Sequence, residues 1–197
     1  GGSDFWVLKI DANGNKIWSK TYGGTATDEL RMLKQTADKK YILAGWTLSG
    51  STNSDVLLMK VDTNGTLLWN VKADVGGTEN TFDVIEDNAG NYVVVGKGSA
   101  LTYLGYVAKV SSSGVLIWEK ILSYPFSPFS LQFVSVQQDP ADGNYLFFNS
   151  LNDGVTTSLY YATKVNDSVF TYVGALSGAN QTSTPRLDAV PSSDSAN

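Results

Sequence analysis

Short apolar runs, each closed by a cluster of Gly, Asn, Asp or Ser, follow one another along this chain and recur in a fixed order. The clearest unit holds four of them, at 81–87 (TFDVIED), 92–95, 106–110 and 115–122, with turn residues at 88–91, 96 and 111–114. Short β-branched and aromatic runs with turn signals every 8–12 residues predict strands in an all-β fold. The unit repeats. Residues 4–18 (DFWVLKIDANGNKIW) and 55–69 (DVLLMKVDTNGTLLW) are nearly the same phrase, and 105–118 (GYVAKVSSSGVLIW) keeps its pattern with a rewritten turn. Lys9, Lys60, Lys109 and Lys164 are spaced by 51, 49 and 55 residues, Trp18, Trp69 and Trp118 by 51 and 49, and Tyr41, Tyr92 and Tyr145 by 51 and 53. Self-similarity at a fixed period of about 20–50 residues is the signature of a repeat architecture.

Alternation within the third strand of each unit predicts how the units stack. In the first copy Trp6, Leu8 and Ile10 share one face, and Phe5, Val7 and Lys9 the other. In the second, Leu57, Met59 and Val61 oppose Val56, Leu58 and Lys60. Both faces are largely apolar, unlike a sheet with one wet side. Four-stranded antiparallel blades packed face to face around an axis fit this pattern, and Kelch-type repeats also run to about 50 residues. The expected fold is a β-propeller, with Trp6 in its core. Residues 28–37 (DELRMLKQTA) are the best helical candidate, but they occupy the register of the first strand and are read as strand.

The stretch 60–69 (KVDTNGTLLW) resembles the strand–turn–Trp element of quinoprotein-like propeller repeats. The whole unit is more similar to the roughly 50-residue propeller repeats of secreted and cell-surface proteins in Bacteroidota and some archaea. Residues 41–46 (YILAGW), 55–65 (DVLLMKVDTNG), Trp69 and the Gly pairs at 23–24 and 76–77 carry that resemblance, over about the first 120 residues. On this reading 1–22 is the third and fourth strand of an opening blade. Blades follow at 25–75, 78–124 and 127–178, and 182–197 begins a closing or further one. The expected whole is part of a six- to eight-bladed ring, because an open array leaves blade faces uncovered.

Composition narrows the chemistry. The net charge of −5 argues against nucleic acid and anionic membrane surfaces as partners. The absence of Cys removes disulfides and thiolate sites, and the absence of His removes the commonest general base and transition-metal ligand. No 18-residue apolar stretch or signal-like segment is present, so neither a membrane span nor a targeting signal is expected in these residues.

Each candidate site has a structural alternative. The turns 11–15 and 62–65 have the wrong spacing for EF-hand calcium loops, whereas Asn-Gly is a strong hairpin signal; no metal is expected there. The recurring Lys and Trp residues are read as structural markers, the lysines covering apolar surface or pairing with carboxylates and Trp18, Trp69 and Trp118 packing between blades. Departures from the repeat point to ligand or partner binding. The connection 123–129 (SYPFSPF) replaces a Gly-Gly link and offers Tyr124, Phe126 and Phe129 as an aromatic platform or a core plug. Tyr103, just before the third strand, joins that surface if its loop lies on the same side. Trp46, placed just after a second strand, is a candidate sugar-stacking residue. Asp28, Glu29 and Glu79 recur where the first strands start and are the carboxylates an enzyme would use, but no nucleophile motif accompanies them.

The expected function is non-enzymatic binding or adhesion, to protein or glycan, by a secreted or cell-surface propeller without a cofactor. A scaffold or stalk in a surface assembly and a propeller glycosidase or lyase with axial carboxylates are the alternatives. The resemblance implies export, often through a type IX sorting domain; no such domain lies in these residues. Asp167-Ser168-Val169 and Asp194-Ser195-Ala196 also match Bacteroidota O-glycosylation sites.

Overall fold

The computed structural model describes residues 2–48, 53–74, 76–99, 103–122, 130–152, 159–165 and 170–175. Among these there is no helix, and the strands form four sheets in chain order. Sheet I pairs β1 (Phe5–Ile10) with β2 (Lys16–Tyr22). Sheet II holds β3 (Asp28–Gln35), β4 (Tyr41–Thr47), β5 (Asp55–Val61) and β6 (Leu67–Ala73). Sheet III holds β7 (Asn80–Glu86), β8 (Tyr92–Ser99), β9 (Tyr103–Val110) and β10 (Leu116–Leu122). Sheet IV holds β11 (Ser130–Gln138), β12 (Tyr145–Asn152), β13 (Leu159–Val165) and β14 (Phe170–Ala175). Every sheet is an antiparallel meander, with each strand bonded to the one before it. Residues 28–35 are therefore extended, as their register requires.

Local chemistry sets the hairpins. Asp11 Oδ1 accepts the Asn13 and Asn15 amides, and Asp62 Oδ1 accepts those of Asn64 and Thr66. These carboxylates serve the turn backbone, as Asx turns do. Gly14, Gly65 and Gly114 close the equivalent turns at φ of 83°, 77° and 85°, where a side chain is disfavoured. Just past each turn a bulge leaves Ile17, Leu68 or Ile117 unpaired and exposed, which shifts the neighbouring Trp onto the packing face. A second bulge, at Arg31, Phe82 and Val134, recurs in the first strand of sheets II, III and IV.

Three apolar layers lie between successive sheets. Phe5, Val7 and Tyr22 meet Leu43, Leu57, Met59 and Val61 between sheets I and II. Ile42, Ala44, Val56 and Leu58 meet Tyr92, Val94, Tyr106 and Ala108 between II and III. Val93, Val95 and Val107 meet Phe133, Val136, Tyr145 and Phe147 between III and IV. Each inner strand thus feeds two cores by simple alternation, and all seven residues of β5 are buried. The first strands lie together, β3 against β7 and β7 against β11, while β6 and β10 touch only marginally. Asp83 ties the first strands of three sheets: its carboxylate takes Lys34 Nζ at 2.6 Å, Ser135 Oγ at 2.9 Å and the Val136 amide at 3.1 Å.

Sheet I departs from expectation. Trp6 is 61% exposed, Leu8 43% and Ile10 53%, whereas Leu57, Met59 and Val61 at the same register are at most 7% exposed. The sequence pattern predicts core burial for Trp6, and the structure corrects it. Phe5 and Val7 face sheet II, and among the described residues no sheet covers the opposite side of β1.

Candidate functional site

The recurring Lys, Tyr and Trp residues meet across the sheet interfaces. Lys60 Nζ, on β5, lies 2.6 Å from the Tyr92 hydroxyl on β8 and 2.9 Å from Asp38 Oδ2 of its own sheet. Lys109 repeats the arrangement with Asp87 Oδ2 at 3.3 Å, and the Tyr145 hydroxyl donates to the same oxygen at 2.8 Å. The carboxylate comes from different positions of the two turns, yet reaches the same place. Lys9 lies over the Tyr41 ring, 5.6 Å from its centroid, and donates to the Thr63 carbonyl. Trp18 Nε1 also donates to Thr63 O, and Trp69 Nε1 to Ser112 O, so each indole holds the hairpin of the following sheet. Trp118 packs against the core between sheets III and IV. Lys164 pairs in β13 with Leu146 and Thr171.

Burial alone would raise the Asp87 pKa, but the Asn91 amide, the Tyr145 hydroxyl and Lys109 outweigh it and hold the group below the ordinary carboxylate range. Burial likewise opposes the charge of Lys109, and Tyr145 and Asp87 overcome it, so its pKa lies above the usual lysine value. Both groups stay charged.

A polar groove opens beside this second clasp. It has a volume of about 420 Å³ and runs between the turns of sheets III and IV, lined by Asn88, Lys109, Gln138, Asp142, Asn144 and Tyr145. Gln138 braces it, accepting the Asn88 amide and donating to the Gly143 carbonyl. The corresponding cleft between sheets I and II is smaller and apolar, lined by Val7, Leu8, Trp18 and Leu33 beside Lys9 and Tyr41. The two differ because the β7–β8 turn borders the first, whereas two-stranded sheet I has no counterpart of that turn among the described residues.

A different cluster sits where β6 passes to β7. Carboxylate oxygens of Asp55, Asp74 and Glu79 all lie within 4.8 Å of one another. Asp55 and Glu79 are buried and Asp74 is exposed. Ser54 fixes the geometry: its carbonyl accepts the Glu79 amide at 2.7 Å, and its hydroxyl donates to the Glu79 carbonyl at 2.9 Å. Lys72 Nζ pairs with Asp55 Oδ2 at 2.8 Å. Neither Glu79 carboxylate oxygen makes a hydrogen bond of normal geometry among the described residues, although the Gly77 amide lies close enough to favour its charged form. Burial, then the charges of Asp74 and Asp55, push its pKa up to about 7.

The sequence candidates are therefore scattered. Tyr124, Phe126 and Phe129 lie outside the described residues. Tyr103 opens β9, paired with Ser99, and so belongs to the strand rather than a preceding loop. Trp46 lies inside β4, between Glu29 and Val56 on the flanking strands. It does not follow the strand, and its indole nitrogen is buried without a hydrogen-bond partner among the described residues. Asp28 and Glu29 do not join Glu79; Asp28 accepts the Gly24 amide, and Glu29 pairs with Arg31. Asp55, Asp74 and Asp87 were not singled out by motif. For Asp55 the one signal is positional, since Asp4, just before β1, and Asp55, at the start of β5, occupy equivalent places in the repeat.

No protein-family model matches the chain, and no curated protein matches it either. No helix among the described residues is long and apolar enough to cross a membrane.

Proposed function

We propose that the four sheets are blades of a β-propeller, part of a six- to eight-bladed ring, and that the chain is a non-enzymatic binding or adhesion module of a secreted or cell-surface protein. The blade reading is supported by the gathering of β3, β7 and β11 and the parting of β6 from β10, a fan about the first strands. Export is inferred from the resemblance to Bacteroidota repeats together with a Ser/Thr/Asn-rich, acidic composition.

The observation that carries the binding reading is the polar groove between sheets III and IV. Side-chain amides and a carboxylate offer closely spaced donors and acceptors, the chemistry that pairs with adjacent hydroxyl groups. A glycan is the ligand class that fits this pattern best. The carboxylate cluster is a poor hydrolytic centre by comparison, because Glu79 and Asp55 are shielded from any polymer in solvent.

A glycan array probed with the 197-residue chain tests this reading. Saturable binding that falls at least tenfold in an Asn88→Ala/Asn144→Ala variant is expected. Binding unchanged in that variant contradicts the groove assignment, and no binding to any glycan favours the second reading, a scaffold. That alternative is supported by the clasps, which commit the recurring Lys60, Lys109, Tyr92 and Tyr145 to neighbouring sheets.

A further inference from the structure

We propose that Asp55, Asp74 and Glu79 form a binding site for a single divalent cation, with calcium the preferred ion. Two observations converge. The first is spacing: a calcium ion bonded to oxygens at about 2.4 Å spans oxygens up to about 4.8 Å apart, and the three carboxylates fall within that limit. The second is the state of Glu79. It is fully buried, its carboxylate is directed into the cluster, and neither oxygen has a hydrogen-bond partner of normal geometry among the described residues. A buried carboxylate is ordinarily paired or coordinated. Here the ammonium of Lys72 is taken up by Asp55 Oδ2 and leaves Glu79 unmatched.

The chain supplies an internal comparison. At the junction between sheets I and II, Asp4 and Asp28 occupy the places of Asp55 and Glu79, and the Asp28 amide bonds Ser3 O as the Glu79 amide bonds Ser54 O. There Gly23 stands where Asp74 stands in the next unit, so the third carboxylate is missing. Asp28 instead accepts the Gly24 amide at 3.0 Å. With two carboxylates the buried acid accepts a backbone hydrogen bond of normal geometry; with three, neither Glu79 oxygen does. The addition of Asp74 is what turns a structural junction into a ligand set.

The donors select the metal. All three are hard oxygens, and the chain has no His or Cys to attract zinc or copper. Magnesium gives up its water shell reluctantly and favours sites that leave most of it in place. Two of these three carboxylates are buried, which favours the more readily dehydrated calcium ion. Asp74, at the surface, gives the ion a way in and leaves room for water to complete its coordination.

Titration calorimetry and thermal melts of the chelator-treated 197-residue chain with calcium chloride test the proposal. The expected result is saturable one-site binding and a higher melting temperature, with magnesium at least tenfold weaker. Asp74→Asn, at an exposed position that does not endanger folding, should weaken binding at least tenfold. Glu79→Gln should abolish the calcium response while leaving the metal-free melting temperature equal to or above that of the native chain. The proposal is overturned by the absence of saturable binding at about 10 mM calcium, tenfold above the weakest extracellular sites. It is equally overturned if Asp74→Asn and a folded Glu79→Gln bind as the native chain does.

Discussion

Gly114 has no room for a methyl group. A Cβ built there lies 2.7 Å from Trp69 Cδ2, and the residue holds a φ of 85°. Gly90, in another hairpin, has a φ of 78° but open space around it. Gly90→Ala is therefore expected to cost about 1 kcal/mol from backbone conformation alone. Gly114→Ala should cost at least about 1 kcal/mol more, because the indole must also move. Urea denaturation of the two variants checks this, and equal losses would show that Trp69 does not rest on the turn. Such roles were only half legible in the sequence. The Lys, Trp and Tyr series announced the period, yet nothing in one sequence tells that Lys60 reaches Tyr92, 32 residues away. Trp46 shows the reverse problem: Gly96 reads as closing the second strand, which sets the equivalent Trp46 just beyond it, whereas β4 and β8 extend through Trp46 and Lys97.

At the scale of elements, the clasp between sheets III and IV makes stability depend on pH. Asp87 titrates below its ordinary value of 3.8 in the folded chain, so the unfolded chain binds its proton more readily. The stabilisation is complete above about pH 4 and is lost as the pH falls through the lower folded-state value. Asp87→Asn removes a buried, charge-assisted set of bonds, at an expected cost of about 2 kcal/mol near pH 7. The gap between native and variant should narrow steadily below about pH 4, as seen by denaturant titration. A gap that stays constant with pH would show that Asp87 is not the charged partner of Lys109 and Tyr145. Strand identity and order were readable from alternation and turn residues. The bulges were not, because one unpaired residue, Leu68 for example, leaves the local run looking like ordinary strand. Their effect is to turn Trp69 inward and Leu68 outward, which simple alternation from Leu67 does not anticipate.

For the whole molecule, the uneven treatment of equivalent faces is the main lesson. β1 and β5 carry nearly the same sequence, but Trp6, Leu8 and Ile10 face solvent while Leu57, Met59 and Val61 are covered by sheet I. Periodicity reports which residues want cover; it does not say whether a neighbour supplies it. Trp6→Glu should therefore change the stability of the 197-residue chain by no more than about 0.5 kcal/mol, as for other surface positions. Leu57→Glu, at the matching register, should cost several kcal/mol. Thermal melts distinguish the two, and a large loss from Trp6→Glu would mean that this face is packed. The carboxylate cluster, at the β6–β7 connection, and the groove, between turns of sheets III and IV, both arise where the repeat changes its residues. Glu79 was visible beforehand as a candidate, and Lys109 and Tyr145 as repeat markers; Asp55, Asp74, Asn88 and Asn144 were not. The claim that the groove is the binding surface is tested most directly by chemical-shift mapping of the chain with a glycan selected from the array. Saturable shifts centred on the amides of Asp87, Asn88, Ala89, Gly143, Asn144 and Tyr145 are the predicted result. Saturable shifts confined to other residues would contradict it.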